Sequence, residues 1–155
     1  MDVPASLYMS ALVTATVLTL CVVAVHYEAL RLLSLLHPKH WNGKITVGIL
    51  IVGIIGAHCL EALIFGVGYW LGAHLLGLGE LAGSSSQSPL AYVYFSLETF
   101  TTQSLGDIVA TGPLRLVAAI EPLVGLILIG WSTSFTFVVM QRNWRTQPLT
   151  PTEDS

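Results

Sequence analysis

An all-α membrane protein is the fold class this chain predicts, with three transmembrane helices and a re-entrant short helix and loop between the second and third. Three observations predict it. Hydrophobic residues make up 54% of the 155 and charged residues only 10%, where soluble domains carry about a quarter charged residues. Three apolar runs are each long enough to cross about 30 Å of hydrocarbon, which takes about 20 helical residues. Between the second and third runs lies a stretch too short to cross, and the basic residues flanking the runs balance only if that stretch enters and leaves on the same side.

The first span is placed at 7–36. Asp2 is the only charge before it, so there is no basic leader region and the run is expected to stay as an anchor. It closes on His26, Glu28 and Arg31, and "HPKHWNGK" (37–44) follows as a turn rich in Pro, Gly and basic groups. The second span is placed at 45–76. Its apolar run reaches Leu78, and as one helix would measure roughly 50 Å, so it must tilt or leave the bilayer at its outer end. Residues 77–88 form a small-residue outer linker. "SPLAYVYFSLETF" opens the segment 89–111 as a short helix, with Ser88 as N-cap and Pro89 at the first helical position. The third span is placed at 112–141 and a polar tail at 142–155. No repeat is visible, so the chain reads as a single membrane domain.

Arg31, Lys39 and Lys44 assign the first turn to the cytoplasm, the linker without basic residues to the outside, and Arg142 and Arg145 the carboxyl terminus to the cytoplasm. The amino terminus is then outside. Irregular backbone at membrane depth is tolerated only where protein or a water-filled cavity surrounds it, so 89–111 must line one or the other.

Several function classes drop out. A net charge of -3 without a basic stripe excludes nucleic acid as a partner. No nucleophile, base and orienting group converge in the pattern, so no enzyme is expected. Cys21 and Cys59 lie in apolar runs without zinc-type spacing and read as packing residues. No span carries a ladder of arginines, so voltage sensing is not expected.

The informative stretch is "FTTQSLGD", 100–107. A short helix followed by Thr101, Thr102, Gly106 and Asp107 would, with four copies around an axis, set a ring of threonines beneath backbone carbonyls. Such carbonyls replace a cation's hydration shell, and the negative carboxyl end of the helix favours a cation there. "YFSLETFTTQSLGDI" resembles the pore region of tetrameric potassium channels of the simple bacterial class, aligning without gaps to pore helix plus T-V-G-Y-G-D. "RLVAAIEPLVGLILIG" resembles the inner helix of that family, with Arg115 at its outer end and Gly125 near its hinge glycine. The resemblance covers 91 to about 140.

The resemblance implies a homotetrameric cation channel of a bacterial inner membrane, with potassium the leading candidate. The filter would be Thr101, Thr102, Gln103, Ser104, Leu105, Gly106 and Asp107. A monovalent cation would be held by backbone carbonyls at Thr102 and Ser104 and by the Thr102 hydroxyl, with no other cofactor. Glu98 would pair with Asp107 as a brace behind the filter, the two sharing a proton. Membrane lipid and further copies of the chain are the implied partners. Gating input would come from lipid, pH, ions or an unidentified regulatory protein.

The departures lie at Gln103, Ser104 and Leu105, where the family has V-G-Y. A residue with a Cβ takes the left-handed backbone of a filter glycine at a cost of about 1–2 kcal/mol, so Ser104 is expected to disturb the upper carbonyls. Leu105 lacks the hydroxyl that braces the outer mouth. The residues leave selectivity over sodium open.

Pro122 removes a helical hydrogen bond in the third span, and Gly125 and Gly130 follow, which reads equally as a gating hinge or a static kink. His58, Glu61 and Glu121 are ionisable groups inside spans. His58 and Glu61, three residues apart, are placed to bond each other or Glu121, either as a proton-sensitive switch or as a hydrogen-bond set docking the outer spans. Two rivals stand beside the channel: a non-conducting subunit that keeps the fold, and a b-type haem or metal protein using His26, His58 and His74.

Overall fold

The structure is a computed structural model and describes residues 4–35, 43–83 and 88–145. Its elements run α1 (Ala5–Leu35), α2 (Gly43–His74), β1 (Leu81–Gly83), α3 (Pro89–Phe100), β2 (Ile108–Ala110) and α4 (Leu114–Arg145). Among the described residues three helices, α1, α2 and α4, are long and apolar enough to cross a membrane. Most of the turn 37–44, with Lys39 and Trp41, and the tail from 146 onward lie outside the described residues.

The long helices are apolar on nearly every face, the condition for a helix surrounded by lipid and other helices. Several hydroxyls of α1 are satisfied within the helix: Thr14, Thr16 and Thr19 each donate to the carbonyl four residues back at 2.8–2.9 Å. Cys21 and Cys59 are free thiols on outward faces. Arg31 donates to Glu28 at 2.9 Å on the exposed surface of α1, an i,i+3 pair worth a few tenths of a kcal/mol.

Where lipid tails are as apolar as leucine, helices associate through close packing and hydrogen bonds. Ala11, Ala15 and Val22 of α1 are fully buried, against a core that includes Phe65 and Tyr69 of α2 and Leu114, Val117 and Leu128 of α4. A smaller cluster of Leu30, Leu50 and Ile54 closes the other end, with Phe135 and Val139 packed on it. α3 rides on α2 at Gly66, where a Cβ would stand 3.1 Å from the Val93 Cα.

The apolar run of the second span ends as helix at His74. A tight turn follows, with the Leu78 amide donating to the Gly72 carbonyl at 2.9 Å and Leu78 fully buried. The outer linker then forms a strand that no pattern in the sequence announces. Leu81, Ala82 and Gly83 pair antiparallel with Ala110, Val109 and Ile108. The Thr111 hydroxyl adds a bond to the Glu80 carbonyl at 2.9 Å. A three-residue strand among small residues shows no alternating pattern from which to read it.

α3 starts as its residues dictate. Ser88 is the N-cap, its side chain accepts from the Leu90 amide at 3.3 Å, and Pro89 occupies the first turn. Ser88→Ala is expected to destabilise the protein by about 1 kcal/mol, read as a small drop in the thermal midpoint of protein in detergent. α4 continues unbroken through Pro122.

Candidate functional site

The carboxyl end of α3 is closed by one hydroxyl and by the amides that follow it. The Thr101 hydroxyl donates to the Leu97 carbonyl at 2.8 Å. The Thr102 amide reaches the Thr99 carbonyl at 3.0 Å and the Gln103 amide the Glu98 carbonyl at 2.8 Å. Beyond this the chain takes positive φ at every second residue: 62° at Thr102, 38° at Ser104 and 80° at Gly106. Only Gly106 does so without a steric cost. Thr102 and Ser104 each hold a conformation costing about 1–2 kcal/mol, of the kind that persists where the surroundings impose it and that clusters at functional sites. Ser104 thus adopts the left-handed backbone despite its Cβ. Thr101, Thr102, Gln103, Ser104, Leu105, Gly106 and Asp107 are all exposed on the single chain.

Behind this ribbon Glu98 is buried, and its Oε1 is the one buried side-chain polar atom among the described residues without a hydrogen-bond partner. The Tyr94 phenol faces the carboxyl groups of both Glu98 and Asp107. Tyr94 is not marked by any motif in the sequence. Its place one helical turn before Glu98 was the available signal.

Two polar sets lie deeper. Glu121, on α4, accepts from the Tyr69 hydroxyl of α2 and lies 2.5 Å from the Ser96 hydroxyl of α3, which also lies 2.6 Å from the Ala62 carbonyl. This set ties the short helix to both long helices beside it. His58 and Glu61 are not bonded to it. Instead the Glu61 carboxylate takes His26 Nδ1 of α1 at 2.8 Å on one oxygen and His58 Nδ1 at 2.9 Å on the other. Ser132 Oγ of α4 then lies 3.4 Å from His26 Nε2 and 3.2 Å from His58 Nε2. His26 and Glu61 are fully buried. The rings of His26 and His58 stack at 5.4 Å, with Trp131 against the first and Phe100 against the second.

Of the two partnerships left open for His58 and Glu61, the structure has the bond to each other, while Glu121 bonds Tyr69 and Ser96 instead. His74 stacks on Trp70 at 5.1 Å and bonds the Trp70 carbonyl, so it stands apart from His26 and His58 and the three histidines do not form one ligand set. The helical rotation that decides such partners is not readable from spans apolar on every face.

Of the three residues that read as a hinge or a static kink, Pro122 sits within the continuous α4. Gly125 lies against the end of α3, where any Cβ would run into the Phe100 carbonyl. A Cβ at Gly130 would meet nothing within 4 Å.

No curated protein and no solved structure matches the chain. A family model described as ion channel matches residues 44–142, a span that takes in α2, the short helix, the positive-φ ribbon and α4 as far as Arg142. With three membrane-length helices and a short helix that ends on an irregular exposed loop, the match assigns the chain to the ion channel family.

Proposed function

We propose that the chain is one subunit of a homotetrameric, potassium-conducting channel whose filter is Thr101 to Asp107. The observation that carries this reading is the alternation of φ at Thr102, Ser104 and Gly106 directly after the carboxyl end of a short helix. In a regular strand successive carbonyls point to opposite sides, whereas a backbone whose φ alternates in sign turns them toward one side. Such a row is what a dehydrated cation requires. Carbonyls at Thr102 and Ser104, with the Thr102 hydroxyl, are the proposed ligands for the ion. The exposure of the whole ribbon on the single chain supports assembly around an axis, because one subunit alone leaves the ribbon uncovered.

In this reading Glu98, facing Tyr94, braces the filter beside Asp107. Pro122 and Gly130 are where α4 bends, and Gly125 is the point at which α4 is held to the short helix. The membrane is a bacterial inner membrane, with the amino terminus outside, the carboxyl terminus cytoplasmic and lipid against the outer faces of α1 and α2.

Purified protein reconstituted in liposomes is expected to pass potassium faster than sodium, and its particles to show fourfold symmetry. Flux of neither ion from a fourfold particle would leave the non-conducting subunit as the answer. Ser104→Gly supplies the residue that tolerates positive φ and is expected to keep the fold and raise the potassium-to-sodium ratio. Ser104→Val places a β-branched residue there and is expected to abolish flux.

A further inference from the structure

We infer that His26, His58 and Glu61 form a binding site for one divalent transition-metal ion of the zinc class, with Ser132 as the group that orients both imidazoles. Two imidazole nitrogens and a carboxylate oxygen converge with all ligand atoms within 4.8 Å of one another. That donor set is the one zinc binds as three protein ligands with a fourth position open. The three come from two helices, α1 and α2, fixed at this level by packing.

The arrangement around the ligands favours a metal. Histidines that ligate a metal donate their other ring N–H to a fixed acceptor, which sets the tautomer. Here both Nε2 atoms face one oxygen, Ser132 Oγ, at 3.4 and 3.2 Å. With both Nδ1 atoms on a metal, each ring carries its proton at Nε2 and both donate to the two lone pairs of that hydroxyl. Without a metal, two neutral imidazoles that donate from Nδ1 to Glu61 leave two Nε2 acceptors to share the single Ser132 proton. One carboxylate leaves a divalent ion with one net positive charge, so a hydroxide or chloride in the fourth position completes a neutral site. A cavity of about 400 Å³ between α2 and α4 is bordered by His58 and Ser132, so the cluster is not sealed off on that side.

A bound ion would lock α1 to α2 directly behind Phe100, the last residue of the short helix. The site is independent of whether the ribbon conducts, and binding is measured without flux. An extra proton in place of the metal is the competing occupant, and a metal titration separates the two.

Full-length protein purified in detergent is titrated with cobalt as the spectroscopic stand-in for zinc. One ion per chain is expected, with visible absorption bands of a four-coordinate nitrogen and oxygen site that zinc removes. X-ray absorption of the zinc-loaded wild type is expected to show imidazole scattering and no sulfur. His26→Gln and His58→Gln are expected to lose stoichiometric binding, Ser132→Ala to bind about tenfold more weakly, and His74→Gln to bind as wild type does. Wild-type protein that takes up no cobalt overturns the inference and leaves the proton as occupant. Undiminished binding in a folded His58→Gln variant, or sulfur in the zinc spectrum, overturns it equally. The wild-type spectra decide the matter even if a histidine variant does not fold.

Discussion

Gly125→Val is expected to cost at least about 3 kcal/mol of stability, because α4 passes so close to the end of α3 that a side chain would occupy the place of the Phe100 carbonyl. Overpacking a tight contact costs typically about 1–3 kcal/mol, and more when backbone rather than a flexible side chain must move. Neither partner here can yield locally, since both atoms belong to helices packed on other sides. A loss of that size lowers the thermal midpoint by roughly 6–12 °C for a chain of this length, measurable by circular dichroism in detergent. Gly130→Ala is the control: its Cβ meets nothing, and alanine is the better helix former by about 1 kcal/mol. If Gly125 were chiefly a hinge, both substitutions would leave the midpoint near wild type and change only gating. A Gly125→Val protein as stable as wild type would remove the packing role argued for this residue.

Glu121→Ala carries the second large effect. The carboxyl group lies between the hydroxyls of Tyr69 and Ser96, and all three residues are buried. Truncation strands a buried phenol at a cost of about 1–3 kcal/mol and opens a cavity that costs more, so a loss of about 3–5 kcal/mol is expected. Glu121→Gln retains an acceptor for Tyr69 and should lose much less. The thermal midpoints of the two variants, compared under one detergent condition, test the order. Equal midpoints for alanine and glutamine would show that the hydrogen bonds contribute nothing.

The three spans were legible because a bilayer demands long apolar runs and the chain has three. The short helix was legible because Ser88 and Pro89 mark its start in any solvent. Thr101 to Asp107 stood out as a polar interval where regular helix must stop. What the residues do not disclose is rotation. α1, α2 and α4 present apolar surface on nearly every face, so nothing in the pattern told which way His26 points, and it meets Glu61 from 35 positions away. Tyr69 and Ser96 look like ordinary residues of apolar helices until Glu121 is set between them. The strand pair was hidden for another reason: its cohesion comes from backbone bonds, which leave little mark on residue choice over so few positions.

That strand pair has a consequence for the ribbon it borders. The ribbon is moored to α3 at Gln103 by the bond to the Glu98 carbonyl and to the outer linker at Ile108 by its pairing with Gly83. Only four residues, 104–107, bridge the two moorings. Single replacements there leave both moorings in place, whereas adding or deleting one residue is expected to tear a mooring loose or buckle the strip between them. In this loop a change of length is expected to disturb the fold more than a change of residue.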